Sequence, residues 1–146
     1  MILMKGDVFK ADCDYFGVTT NSIIKRNGEL VMGAGVAKSA MLLNPELPKI
    51  FGADIVGRGL VGGYYGIIKP SGSSKYFTFQ TKRHYKDKSN ITDVIMSINQ
   101  LKEIAIRFHN KTFALPFPAI ANGGLKRGDV LPYLLELPNN VYVYEL

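Results

Sequence analysis

The sequence predicts one α/β domain over residues 1–146, a mixed sheet of about six strands between helices. Three observations carry this expectation. The 146 residues fit a single domain and leave little room for a second. Hydrophobic residues make up 47% and charged residues 21%, an ordinary globular balance rather than that of a disordered chain. The C-terminal half alternates helix, strand, helix, strand, the pattern of parallel strands covered by helices.

Each element has its own local reason. Gly6-Asp7-Val8 lies in a loop after a first strand near the N-terminus. A strand follows around Phe16 to Thr20, then a glycine-bearing loop and a helix from about Gly35 to Leu43, ended by Asn44-Pro45. Pro45 to Phe51 reads as another short helix. Leu60 to Lys69 and Lys75 to Thr81 read as two antiparallel strands around the Pro70–Ser74 turn. The clearest helix runs from about Ile91 to Phe108. There Ile91, Val94, Ile95, Ile98, Leu101, Ile104, Ala105 and Phe108 fall at spacings of three and four and make one apolar stripe. Asn90 is its N-cap, and Asp93 sets a carboxylate against the positive end of the helix dipole. Lys111 to Pro116 is a short apolar strand, a helix from about Asp129 to Leu137 is stopped by Pro138, and Val141 to Tyr144 is a β-rich final strand.

Composition excludes several function classes. A single cysteine, Cys13, forms no internal disulfide and favours a reducing, intracellular (cytoplasmic) setting. Its acidic neighbours raise a thiol pKa, which argues against a nucleophile. With two histidines it makes a poor ligand pool, so neither a metal nor a cofactor is expected. The longest apolar run, Phe113 to Ala121, has nine residues and two prolines, against the roughly 20 that a membrane helix needs. The N-terminus lacks the ordered regions of a signal peptide. Net charge is +6, with Lys82, Arg83, His84, Lys86 and Lys88 inside seven residues. That balance suits an anionic partner, polymer or small phosphate ligand, and serves solubility equally well.

Two glycine-bearing loops sit where an α/β sheet binds ligands, beyond the carboxyl ends of strands. The first, Gly28 to Ala37, follows a strand and opens a helix. Glycines there let backbone approach a phosphate, and the helix start offers free N–H groups and partial positive charge. It is not a P-loop, since no Gly-Lys-Ser/Thr follows, and Lys38 stands at the third glycine of the dinucleotide fingerprint. The second, Phe117 to Asp129, also follows a strand and opens a helix. Two such loops can clamp a diphosphate from both sides; each alone also fits a tight turn.

In order along essentially the whole chain, these segments resemble the macrodomain family. Gly6-Asp7-Val8 resembles its Gly-Asp-Ile/Leu, and Val18-Thr19-Thr20-Asn21 the strand ending in a ribose-contacting asparagine. Val31-Met32-Gly33-Ala34-Gly35-Val36-Ala37 is very like its first phosphate loop, and Pro118-Ala119-Ile120-Ala121-Asn122-Gly123-Gly124-Leu125 resembles the second. The resemblance points to the branch holding the terminal ADP-ribose protein glycohydrolase and the yeast ADP-ribose 1''-phosphate phosphatase. It implies a three-layer α/β/α fold and an ADP-ribose or ADP-ribosylated partner. By the same resemblance Asp7 would hold the adenine amine, Val8 and Tyr144 the adenine ring, and Asn21 the distal ribose. Gly33, Ala34, Gly35 and Val36, with Ala121, Asn122, Gly123, Gly124 and Leu125, would wrap the diphosphate, and Thr20, Met32 and Ile120 are implied as further ligand-binding positions.

For catalysis, Phe79-Gln80-Thr81-Lys82-Arg83 resembles the strand end that carries the glycohydrolase's nucleophilic lysine, which makes Lys82 the candidate. Arg83 or desolvation would lower its pKa. The family's Gly-Leu-Asp is Gly124-Leu125-Lys126 here, and Asp129 is the nearest acid. The alternative is removal of phosphate from ADP-ribose 1''-phosphate, with Asn21 and Asp129 assisting. His84 is a possible general acid, and His109 sits at a helix C-terminus. A non-catalytic ADP-ribose reader and a nucleic-acid binder using Lys82 to Lys88 remain open beside the hydrolase.

Overall fold

In the computed structural model, which describes residues 1–146, β1 (Ile2–Lys5), β2 (Tyr15–Thr20), β3 (Tyr76–Gln80), β4 (Phe113–Pro116) and β5 (Val141–Glu145) form one sheet. Their order is β1-β5-β4-β2-β3, and every neighbouring pair is parallel. Parallel neighbours cannot be joined by a hairpin, so the chain must cross over between strands. Four helices, α1 (Gly35–Leu43), α2 (Leu47–Gly57), α3 (Ile91–Arg107) and α4 (Arg127–Leu134), lie along those crossovers.

The alternation of side chains along each strand sorts the core into two halves. On one face Phe77 and Phe79, Phe113 and Leu115, and Val141 and Val143 meet Val94, Ile98, Leu101 and Ala105 of α3 and Val130 and Leu134 of α4. On the other, Phe16, Val18, Tyr76 and Ala114 meet Ala37 and Ala40 of α1 and Leu47, Phe51 and Ile55 of α2. The result is three layers, helices on both sides of the sheet.

The six-strand, mixed sheet of the sequence reading is corrected here: the sheet has five strands, all parallel. The pair expected around Pro70–Ser74 does not form as two strands. Lys75–Thr81 supplies β3, which pairs parallel with β2, while Leu60–Lys69 is irregular. It still runs beside β3, because Thr78 and Gln80 donate their N–H groups to the carbonyls of Ile68 (2.9 Å) and Gly66 (3.2 Å). The return bonds go astray. Ile68 N–H is taken by the Thr78 hydroxyl (2.8 Å), and Tyr65 and Gly66 N–H by the Gln80 side-chain carbonyl (2.7 and 3.0 Å). Two polar side chains intercept the bonds that would have made a sixth strand.

Helix bounds differ for similar local reasons. The helix expected over Asp129–Leu137 runs Arg127–Leu134 instead. Pro132 removes an N–H inside it, and the Glu136 and Leu137 N–H groups reach back only three residues, to Tyr133 (3.2 Å) and Leu134 (3.0 Å). The short helix at Pro45–Phe51 begins at Leu47 and continues to Gly57, since Ile55 extends the buried four-residue spacing of Leu47 and Phe51. Asn90 caps α3 as expected, its side chain accepting from Thr92 N–H (2.9 Å) and Asp93 N–H (3.3 Å).

Candidate functional site

Because all strands point the same way, their carboxyl ends lie along one edge. In spatial order this edge presents Asp7 beyond β1, Tyr144 on β5, Phe117 beyond β4, Asn21 beyond β2 and Lys82 beyond β3. Four strand spacings make the row roughly 19 Å long. Over its β4-β2-β3 part opens a cleft of about 450 Å³, within the size range of small-molecule sites.

Thr20, Asn21, Gly33, Ala34, Gly35, Val36, Lys82, Ala121, Asn122 and Gly123 all line this cleft. The β2–β3 pairing continues past the strands themselves. Thr81 N–H donates to Thr20 carbonyl (3.1 Å) and Ser22 N–H to Arg83 carbonyl (3.0 Å), so Asn21 and Lys82 sit side by side between two rungs. Asn21 is buried. Its amide donates to Val31 carbonyl (2.9 Å) and its carbonyl accepts from Ile23 N–H (2.9 Å), which pins the first glycine loop to the end of β2.

The two glycine loops face each other across the opening. Gly35 adopts a left-handed φ of +58°, and a Cβ there would lie 3.0 Å from the Asn122 side-chain nitrogen. On the other loop a side chain at Gly123 would collide with the Ala119 carbonyl and the Ser89 hydroxyl. Ala119 itself holds a φ of +72°, unusual without glycine, and its carbonyl accepts from Leu125 N–H (2.9 Å).

Lys82 is the only charged side chain in the wall. Its ammonium donates to Asp87 carbonyl (2.9 Å). Burial lowers its pKa below the ordinary lysine value, and the Asp87 charge pulls the other way. Arg83 is not the cause. Its guanidinium is turned to the buried Asp93 carboxylate, 3.3 Å away, at the start of α3. His84 lies outside the cleft wall, stacked on Tyr85 with ring centres 4.5 Å apart, its Nδ1 accepting from Lys86 N–H (3.1 Å). His109 is exposed past the end of α3. Burial is also the main cause that raises the Cys13 thiol, with Asp12 and Asp14 adding to it.

The remaining expected residues stand elsewhere. Met32 is buried in the core beneath its loop, and Ile120 and Leu125 pack on the α3–α4 side of the core. Gly124 faces the aliphatic stem of Lys88. Asp7 accepts from Phe9 N–H (3.0 Å) at the start of a single 3-10 turn, and buried Val8 and half-buried Tyr144 belong to one core cluster beside it. Asp129 is exposed in the first turn of α4, outside the cleft wall. No carboxylate lines the cleft.

Thr19, Val31, Ala37, Thr81, Phe117 and Ala119, which the sequence motifs and loops contain without a role of their own, complete the wall together with Tyr85, Ser89 and Pro116. The strand-end rule reaches Thr81, Pro116 and Phe117, which end or follow β3 and β4. Nothing in the local pattern marks Ser89, which is brought in when the loop after Lys82 folds back and Asn90 N–H meets Thr81 carbonyl (2.9 Å).

No family model matches the sequence, and no curated protein matches it. Solved structures do. The chain is similar to the macrodomain of Thermus aquaticus DarG, with a TM-score of 0.76 and 25% identity over 99% of this chain and 97% of that one. The fold is that of a macrodomain. A second similar structure is Thermosipho africanus DarTG in complex with ADP-ribose, with a TM-score of 0.75 and 25% identity; the match covers 98% of this chain but 41% of that one. The Trypanosoma brucei macrodomain in complex with ADP-ribose matches 97% of this chain and 61% of its own with a TM-score of 0.58, at 13% identity, which speaks for the macrodomain fold alone. No helix of the chain is long and apolar enough to cross a membrane.

Proposed function

We propose that this macrodomain binds ADP-ribose along the carboxyl edge of its sheet and uses Lys82 to hydrolyse an ADP-ribose linkage. The observation that carries the reading is the cleft between two glycine loops with one desolvated lysine as its only charge. The complex of the similar DarTG structure with ADP-ribose supports the choice of ligand. Adenine lies toward Asp7, Val8 and Tyr144, the diphosphate between Gly33–Val36 and Ala121–Gly123, and the distal ribose by Asn21 and Lys82.

In this reading the neutral Lys82 amine attacks the anomeric carbon of the distal ribose. The bond from that carbon to the carrier breaks as the carbon–nitrogen bond forms, and the carrier leaves with a proton. The ring carbon–oxygen bond then opens, its oxygen taking the proton from the nitrogen, and the open sugar is held as an imine until water adds to that carbon and releases ADP-ribose and the free amine. Burial favours the neutral amine that the attack needs. The missing carboxylate in the wall favours a second reading, a non-catalytic ADP-ribose reader. The carrier, protein or nucleic acid, and the rival removal of phosphate from ADP-ribose 1''-phosphate are decided by substrate.

The test is calorimetric titration with ADP-ribose, then incubation with ADP-ribosylated protein, ADP-ribosylated oligonucleotide and ADP-ribose 1''-phosphate. Lys82→Ala keeps binding within a few-fold and loses cleavage. Lys82→Arg is equally dead, because a guanidinium stays protonated. Borohydride traps a covalent adduct in the wild type only. Cleavage by Lys82→Ala would overturn the nucleophile, and a wild type that binds without cleaving any of the three is a reader.

A further inference from the structure

Ser89 is 6% exposed and forms part of the cleft wall. Its hydroxyl is the one buried side-chain oxygen or nitrogen in the molecule with no hydrogen-bond partner. A buried hydroxyl left unpaired is costly, so such groups are almost always satisfied. Neither neighbouring carbonyl accepts from it: Gly123 carbonyl takes Ser89's own N–H (2.7 Å) and Ala119 carbonyl takes that of Leu125 (2.9 Å). The position is also fixed. Ser89 sits between that bond to the second glycine loop and the Asn90–Thr81 bond to the end of β3. The close approach at Gly123, where a Cβ would strike the hydroxyl, places it directly against the loop backbone.

We propose that the Ser89 hydroxyl is a ligand-binding group, donating a hydrogen bond to an oxygen of the phosphate nearest the distal ribose. The assignment rests on the ADP-ribose reading above and adds to it a residue outside both glycine loops. The argument is one of completion: a fixed, buried donor without a partner belongs to the wall of a cleft whose proposed ligand brings anionic oxygens. Its place on the segment from Lys82 to Asn90, against Gly123, puts it at the lysine end of the cleft rather than the Asp7 end. Ser89 therefore distinguishes ligands with a distal phosphate from those that stop at the first.

The test compares wild type, Ser89→Ala and Ser89→Cys by calorimetric titration with ADP-ribose and with AMP, and by thermal unfolding without ligand. Ser89→Cys preserves shape but offers only a weak donor. Both variants should bind ADP-ribose about tenfold more weakly, the scale of one hydrogen bond to a charged group, and bind AMP as the wild type does. Neither should lose thermal stability, because the hydroxyl they remove has no partner in the fold. Unchanged ADP-ribose affinity in both variants overturns the proposal, as does an equal loss for AMP or a lowered Tm that accompanies weaker binding. A wild type that binds no ADP-ribose sinks the underlying reading instead, an outcome separate from these.

Discussion

Gly35 answers to two constraints at once, and they can be separated by experiment. Its φ of +58° strains any other residue by about 1–2 kcal/mol, and its Cα faces Asn122 across the cleft. Gly35→Ala should therefore cost about 1 kcal/mol of stability and weaken ADP-ribose only modestly. Gly35→Glu should unfold at a similar temperature yet bind too weakly to measure, since it sets a carboxylate where phosphate is to lie. Equal affinity for the two variants would mean that this loop does not hold the phosphates. At this scale the sequence was readable wherever backbone chemistry dictates the residue: Gly35 and Gly123 mark close approaches, and Asn21 and Lys82 follow strands. It was silent on Ser89, because the return of a loop to the sheet is decided by distant backbone partners. It also left open what lowers the Lys82 pKa; the structure shows burial, with Arg83 committed to Asp93.

Among the elements, β5 and α4 are clasped by Arg127, whose guanidinium donates to both carboxylate oxygens of Glu145 (2.7 and 3.0 Å). The hydrogen bond from Arg127 comes first among the causes that hold the Glu145 carboxyl below its ordinary range. At the other end of the sheet the Thr112 N–H does the same for Asp14, joining the starts of β2 and β4. A carboxyl depressed in the folded state leaves that state with fewer bound protons than the unfolded chain. The contribution is thus complete above the ordinary carboxylate pKa, about 4, and is lost as pH falls through the lower folded value. Thermal unfolding from pH 7 to pH 3 should show Tm falling on the acid side, and Glu145→Gln should fall less steeply there. Equal slopes would show the clasp to be without effect. The element bounds themselves were legible where a stop signal and a stripe agree, as at Asn44-Pro45 after α1 and Asn90 before α3. They were misread where the bonds beyond Leu134 tighten to a three-residue reach and end α4, and where Thr78 and Gln80 side chains divert the bonds of an expected strand. That diversion is invisible in a pattern of apolar residues.

For the molecule as a whole, the ligand edge and the fold are one object, since the contacts proposed for ADP-ribose come from strand ends, from the loops that follow them and from Ser89, whose neighbour Asn90 is bonded back to Thr81 after β3. Ligand bound at 100 times its Kd should add about 2.7 kcal/mol to folding and raise Tm by roughly 5–10 °C. The same concentration of adenosine should raise it far less, because it leaves both phosphate loops empty; an equal rise would place the affinity in the adenine end alone. The strand order has a further consequence. β5 is the last strand in the chain but lies inside the sheet, between β1 and β4. During synthesis the first strand must wait, unpaired, until all the others have emerged, and only then can the row from Asp7 to Lys82 line up. A nascent chain short of Val141 has its two glycine loops and its lysine but not the frame that spaces them. Competence to bind therefore arrives abruptly, once β5 has joined the sheet, and a chain that stalls before β5 exposes the edges of β1 and β4 to any other strand that meets them.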